Sequence, residues 1–174
     1  SFTAVYDAWN RLVKLSADGN TVAEYQYDGT KRRTVSKTFT GGVLSETRHR
    51  YYTDAWQVIE ERVGASSNAD RQFVWGKRYI DDVVLRDRDT NADGSLDERL
   101  YGMQDANWNV TVIADSGGNV QERYAYAAYG MPKFLTAAFA SRAASDFAWE
   151  ALFAGDRWDS ATGFCCVRNR FLAP

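Results

Sequence analysis

Tyrosine-led units recur along the chain at nearly constant spacing, and a period of this kind commits a sequence to a stacked repeat architecture. Tyr6, Tyr27, Tyr52, Trp75, Tyr101 and Tyr126 serve as anchors, separated by 21, 25, 23, 26 and 25 residues. The first unit reads Tyr6-Asp7-Ala8-Trp9-Asn10-Arg11-Leu12. Tyr25-Gln26-Tyr27-Asp28, Tyr51-Tyr52-Thr53-Asp54 and Tyr124-Ala125-Tyr126 repeat its leading aromatics, with Phe73-Val74-Trp75 and Arg99-Leu100-Tyr101 between them.

Between anchors the sequence reads as hairpins. Arg11 to Leu15 alternates, turns at Ala17-Asp18-Gly19-Asn20 and resumes over Thr21 to Tyr27. In that second arm Ala23, Tyr25 and Tyr27 share one face, and Glu24, Gln26 and Asp28 the other. Period-two alternation broken by Asp-Gly-Asn is a strong hairpin signal. It returns around Thr40-Gly41-Gly42, around Asn91-Ala92-Asp93-Gly94-Ser95 and around Asp115-Ser116-Gly117-Gly118-Asn119. Aromatics at 14% and only two prolines suit pleated, half-buried surfaces. The expected fold is therefore all-β: consecutive antiparallel hairpins, each too small to bury its aromatic face alone, stacked into a continuous sheet. After Tyr129-Gly130-Met131-Pro132 the pattern changes, and the alanine-rich stretch from Ala137 to Leu152 predicts a short helix or an ordered loop.

Several function classes lose support early. A formal net charge of −2, with Lys and Arg dispersed, leaves no electrostatic footprint for nucleic acid. No apolar run approaches the roughly 20 residues of a membrane-spanning helix. There is no signal-peptide pattern, and Ser1 in place of Met suggests a piece of a longer chain. Cys165 and Cys166 are adjacent, so an ordinary disulfide between them would be strained; one packed inward and one outward is expected.

Catalytic chemistry finds little to work with. His49, the only histidine, sits in Arg48-His49-Arg50 with no Gly-x-Ser-x-Gly elbow, and a surface strand position is expected for it. The pairs Glu60-Glu61, Asp81-Asp82 and Asp97-Glu98 point to opposite faces of a strand and cannot converge on one substrate; solvated faces and turns are expected. Gly117-Gly118 lies in a hairpin turn and not ahead of a helix, so it is no phosphate loop. One segment has metal-ligand spacing. Asp89, Asn91, Asp93 and Asp97, bent around Gly94, match the oxygen spacing of calcium loops, although Leu100 stands where a bidentate Glu belongs. An acidic hairpin loop with an Asp-Gly turn explains the same residues.

The tandem Y-x-Y-D units resemble YD repeats, and the last third resembles the core segment associated with Rhs repeats. Arg123-Tyr124-Ala125-Tyr126-Ala127-Ala128-Tyr129-Gly130 is similar to that core's R-Y-x-Y-x-x-Y-G segment. Leu152 to Asp159 resembles its F-x-G-x-x-x-D segment, with Gly155 and Asp159 at the matching positions. Thr162 to Pro174 resembles T-G-L-Y-Y-x-R-x-R-Y-x-D-P, carrying Gly163, Arg168 and Arg170. Ala127 and Ala173 stand where the pattern has Asp, and Cys165-Cys166 where it has an aromatic pair. The resemblance divides the chain into hairpin repeats over 1–130 and a core segment over 123–174. It implies a spiralling β-shell that encloses or presents a C-terminal toxin, in a secreted or surface-displayed bacterial protein. The family's autoproteolytic aspartates fall beyond the matched signature.

The resulting expectation is a non-catalytic structural segment without a cofactor, calcium at the acidic loop apart. Its partners would be further repeats and a C-terminal cargo domain of the parent chain. The alternative is an adhesion module contacting carbohydrate or a cell-surface protein through exposed aromatics, for which a cluster such as Trp9, Trp56 and Trp108 would speak.

Overall fold

The computed structural model describes residues 2–168 and 170–174; Ser1, and Asn169 within the C-terminal signature, lie outside the described residues. Thirteen strands make the main sheet: β1 Phe2–Tyr6, β2 Leu12–Ala17, β3 Asn20–Tyr27, β4 Arg33–Thr40, β5 Val43–Tyr52, β6 Val58–Val63, β7 Arg71–Trp75, β8 Val83–Arg88, β9 Glu98–Gln104, β10 Val110–Asp115, β11 Val120–Tyr126, β12 Pro132–Thr136 and β13 Ser141–Arg142. Their order in space is their order in sequence, and every neighbouring pair is antiparallel. A second sheet holds β14 Arg157–Asp159, β15 Phe164–Val167 and β16 Arg170–Leu172. The all-β hairpin architecture expected from the repeats is the one observed.

The Tyr-Asp dipeptide is a turn device. After Tyr6, the backbone closes through Asp7 N–H to Arg11 O and Asn10 N–H to Asp7 O, both 3.0 Å. The Asp7 carboxylate locks this loop by accepting from the N–H groups of Trp9 (3.0 Å) and Arg11 (2.9 Å). Asp28 does the same with Thr30 and Arg32, and Asp105 with Asn107 and Asn109. The same backbone pair recurs at Thr53 and Ala127. The fourth residue of each turn is left-handed: Asn10, Lys31, Trp56, Trp108 and Gly130 have φ between 59° and 89°. In the first four this is a type I turn followed by a left-handed bulge residue; at Ala127 the preceding Tyr129 is left-handed as well (φ 65°).

The bulge changes the burial period. Register shifts fall where Tyr6, Tyr27, Tyr52 and Trp75 meet the following strand. Buried positions on the strand after each turn then lie three apart: Leu12 and Leu15, Arg33 and Ser36, Val58 and Glu61, Val83 and Arg86, Val110 and Ile113. Simple alternation, expected from Arg11 to Leu15, does not hold there, because a bulge inserts one residue and flips the next to the other face.

Ala137 to Leu152 forms no helix. Phe139 is left-handed (φ 66°), Thr136 Oγ1 accepts the Ala140 N–H at 3.0 Å, and Ser141–Arg142 pairs with β12. Alanine's helix preference is a weak force beside the demand of Glu122, fully buried on β11. Its carboxylate takes the Ser145 hydroxyl, the Asp146 N–H and the Arg142 guanidinium, which draws this stretch out into an irregular path.

Candidate functional site

One face of the main sheet is covered by the chain's last thirty residues, and the buried charged residues Glu61, Arg86 and Glu122 each bond to this strap. The covered face has three zones. At one end Leu12, Leu15, Ala23 and Tyr25 pack with Phe164 and Phe171 of the strap. At the other, Val83, Leu100, Val110, Ile113, Tyr124 and Phe134 close around Trp149 and Leu152. Between them lies a charged centre. Glu61, with no exposed surface, accepts from Arg48 Nη1 (3.1 Å), Arg50 Nε (3.1 Å), Arg71 Nη1 (3.4 Å) and Arg157 Nη1. Glu150 of the strap joins it, accepting from Arg71 and Arg157, each at 2.8 Å.

Burial alone would push the Glu61 carboxyl up; the guanidiniums of Arg157, Arg50, Arg71 and Arg48 outweigh it and hold it well below its ordinary value. Glu150 is held down to about 2, burial being outweighed by Arg71 and Arg157. The expectation that the carboxylate pairs are solvated is corrected here: Glu61 and Asp82 are both fully buried, although Glu60 does point away, to Arg62 and Gln72. A long aromatic strand pattern conceals this centre, because nothing in Arg48-His49-Arg50 says which residues turn inward.

The anchors have one geometric role. Tyr27 Oη donates to Leu12 O (2.7 Å), Tyr52 Oη to Arg33 O (2.9 Å), Trp75 Nε1 to Val58 O (2.7 Å) and Tyr126 Oη to Val110 O (2.5 Å). Each acceptor is the first residue of the strand that starts the same hairpin. In the fourth unit Gln104 holds the equivalent strand position, and its Nε2 donates at 2.9 Å to Asp81 O, two residues before the first residue of β8. Tyr101 is therefore not an inward anchor: Leu100 is buried and Gly102 faces Trp149, so Tyr101 between them lies on the opposite face. Tyr6, on edge strand β1, is 55% exposed, so it is not a core aromatic in this structure. Tyr25 and Tyr124 are buried, the first donating to Asp159 Oδ2 (3.0 Å) and the second to Glu122 Oε2 (2.7 Å).

Most core-signature residues fasten the strap. Gly155 (φ 75°) lies so close to the sheet that a Cβ would stand 2.5 Å from Asp81 O. Asp159 accepts from Tyr25 and, at 3.4 Å, from Arg33. Gly163 (φ 70°) permits the turn between β14 and β15. Arg168 Nη2 reaches Asp81 Oδ2 at 2.9 Å. Arg170 is exposed and makes no polar side-chain contact among the described residues. Beside this fastening is a cavity of about 100 Å³ bordered by Trp56, Trp75, Asp81, Asp156 and Cys166. Burial first, and then the charge of Asp81, push the Asp156 carboxyl up to about 7 against the pull of Arg168. Cys165 is buried and Cys166 half-buried, and both are free thiols. Neither is exposed to the outside as expected for one of the pair: Cys166 borders the cavity.

The acidic loop holds itself. Asp89 accepts from Asn91 and Gly94 N–H, Asn91 from Asp93 N–H, Asp93 from Ser95 N–H, and Asp97 from Thr90 through both N–H and Oγ1. Among the described residues no group of three or more His, Cys, Asp and Glu is arranged to hold a metal ion. His49 pairs across to Val35 and Arg62, with no hydrogen-bonded acid or hydroxyl among the described residues. Trp9 is 69% exposed, whereas Trp108 stacks on Tyr79, and no ring contact among the described residues joins Trp9, Trp56 and Trp108. No described helix is long and apolar enough to cross a membrane.

No family model matches the sequence, and no curated protein does. Solved structures do match. The crystal structure of TcdB2-TccC3-TEV superposes with a TM-score of 0.67 at 16% identity, covering 99% of this chain and 8% of that one. TcdB2-TccC3-Cdc42 gives 0.66 at 14% identity, over 99% of this chain and 8% of that one. A Photorhabdus luminescens Tc holotoxin pore with a substituted TccC3 gives 0.66 at 14% identity, over 98% and 8%. The likeness spans nearly the whole chain and shows that it shares a fold with part of these toxin-complex chains, as the repeat reading expected; the chain spans about 8% of the length of the structures it matches.

Proposed function

We propose that this chain is a non-catalytic wall segment of a larger β-shell, which encloses or presents a C-terminal toxin domain of a secreted or surface-displayed bacterial protein. One observation carries the reading: thirteen antiparallel strands follow one another in sequence order, and one turn is linked to the next by the same kind of bond. Arg11 Nη1 donates to Asp28 O (3.3 Å), Arg32 Nη1 to Thr53 O (3.0 Å) and Gln57 Nε2 to Ile80 O (3.0 Å). Such a ladder couples neighbouring hairpins into one stiff strip that can be extended by adding units. Its mechanism is steric: a sheet sealed by paired backbones keeps solvent and proteases from whatever lies behind it.

The likeness to toxin-complex shells supports this reading, and so does the small share of those chains that the segment spans. The test is protease protection in the parent protein with a trypsin-labile reporter placed downstream of the segment. The reporter should survive until denaturant opens the sheet. Digestion at the rate of the free reporter, with the sheet still folded by circular dichroism, would overturn enclosure.

A further inference from the structure

Beside the charged centre is a second cavity, of about 270 Å³, open at one side between strands β4, β5 and β7 and the strap loop at Ser160. Arg33, Arg48, Arg50 and Arg71 line it, each less than a tenth exposed, together with Ser36. Their donors outnumber the acceptors within reach. Glu61 has two oxygens and four guanidiniums on them, which uses the lone pairs a carboxylate offers. Arg50 spends Nε on Glu61 and Nη1 on Ser36 Oγ (2.8 Å), so three of its five N–H groups have no described acceptor. Arg33 donates once, to Asp159. Arg71 Nε is buried with no hydrogen-bond partner, the nearest carboxylate oxygen being Asp70 Oδ2 at 3.4 Å.

Carboxylates of Glu46, Glu150 and Asp159 also border the cavity, and Asp70 stands beside Arg48 and Arg71, but each is already bonded to an arginine. They cancel charge without taking up the spare donors. Burial, and then the nearby charge of Arg33, lower the proton affinity of Arg50 despite Glu61. A buried donor left unmade is costly, and a ligand with acceptors and no donors relieves several at once. The arginines come from three strands and so approach from different directions, which suits a tetrahedral group better than a planar one.

We propose that this cavity binds a small tetrahedral oxyanion of the phosphate or sulfate type, held by Arg33, Arg50 and Arg71 with help from the Ser36 hydroxyl. The experiment is calorimetric titration of the whole chain with inorganic phosphate, with sulfate, and with acetate as a planar control. Phosphate and sulfate should bind one per chain, and acetate at least about tenfold more weakly. Arg50→Gln should weaken phosphate binding about tenfold or more. Because Arg50 is buried, a second variant guards against misfolding: Ser160→Asp, at the exposed rim, should weaken phosphate to a similar degree while leaving the unliganded melting temperature unchanged. Absence of phosphate and sulfate binding, equal binding of acetate, or phosphate binding indifferent to Ser160→Asp would each overturn the proposal.

Discussion

The hydroxyl of Tyr27 stands 2.7 Å from the carbonyl oxygen of Leu12, and the hydroxyl of Tyr126 stands 2.5 Å from that of Val110. In both, a side chain at the end of a hairpin bonds the backbone at its beginning. The bond recurs from tyrosine and, at Trp75, from an indole, while Gln104 at the equivalent position bonds the chain just ahead of β8.

Removing the hydroxyl alone isolates that bond. Tyr27→Phe and Tyr126→Phe should each cost about 1–2 kcal/mol, since a half-buried carbonyl loses its partner. Tyr101→Phe, on the other face, should cost less than about 0.5 kcal/mol. Urea unfolding of the three variants checks the contrast; equal losses at all three positions would refute the assignment.

Glu61 is the carboxylate on which four arginines depend. Glu61→Gln should destabilise by about 3–5 kcal/mol, because it leaves buried guanidiniums without a counter-charge. The pH dependence follows from its direction of shift. Glu61 and Glu150 titrate below their unfolded value of 4.5 when folded, Glu150 at about 2. Their contribution is thus complete above the unfolded value and is lost as pH falls through the folded ones. Stability measured from pH 6 to pH 2 should drop below about pH 5, and less steeply in Glu61→Gln.

Asp156 works in the opposite sense. Its carboxyl is raised to about 7 when folded against an ordinary 3.8, so folding favours its protonated form. That advantage is present below pH 4 and is lost as pH rises through 7. Asp156→Asn should therefore be more stable than the parent at pH 8, by on the order of 1 kcal/mol, and should level the slope between pH 4 and 7. Parallel thermal melts across that range decide it; an unchanged slope would remove Asp156 from the account.

Gly155 is where the strap meets the sheet most closely. Gly155→Ala adds a methyl 2.5 Å from Asp81 O at a left-handed φ of 75°, and should cost at least about 2–3 kcal/mol. Gly19→Ala has a similar φ (80°) but open space around it, and should cost about 1 kcal/mol. Limited proteolysis should cut the strap first in the Gly155 variant. Cleavage beginning in strands β2 to β5 instead would mean the strap is not fastened there.

Local chemistry in the chain was enough for the hairpins and their turns. Asp7, Asp28 and Asp105 hold their turns through backbone groups within four residues, so those turns are legible from Tyr-Asp and its neighbours alone. The acidic loop is equally local, each oxygen bonded to a donor at most seven residues away. The site was not legible in this way. Glu61 meets Arg157 across 96 residues and Tyr25 meets Asp159 across 134, and no spacing rule spans such separations. The bulges hid it further, since each moves the buried set by one residue and places Glu61 where alternation points elsewhere. Of the two readings for the alanine-rich stretch, the helix failed for the same reason and the ordered loop held, as Glu122 on β11 drew Ser145 and Asp146 to itself. What the sequence by itself determined is the repeat, because its bonds close within one hairpin; which charges are buried, and that the last thirty residues cover them, was decided only when the strap folded back across the sheet.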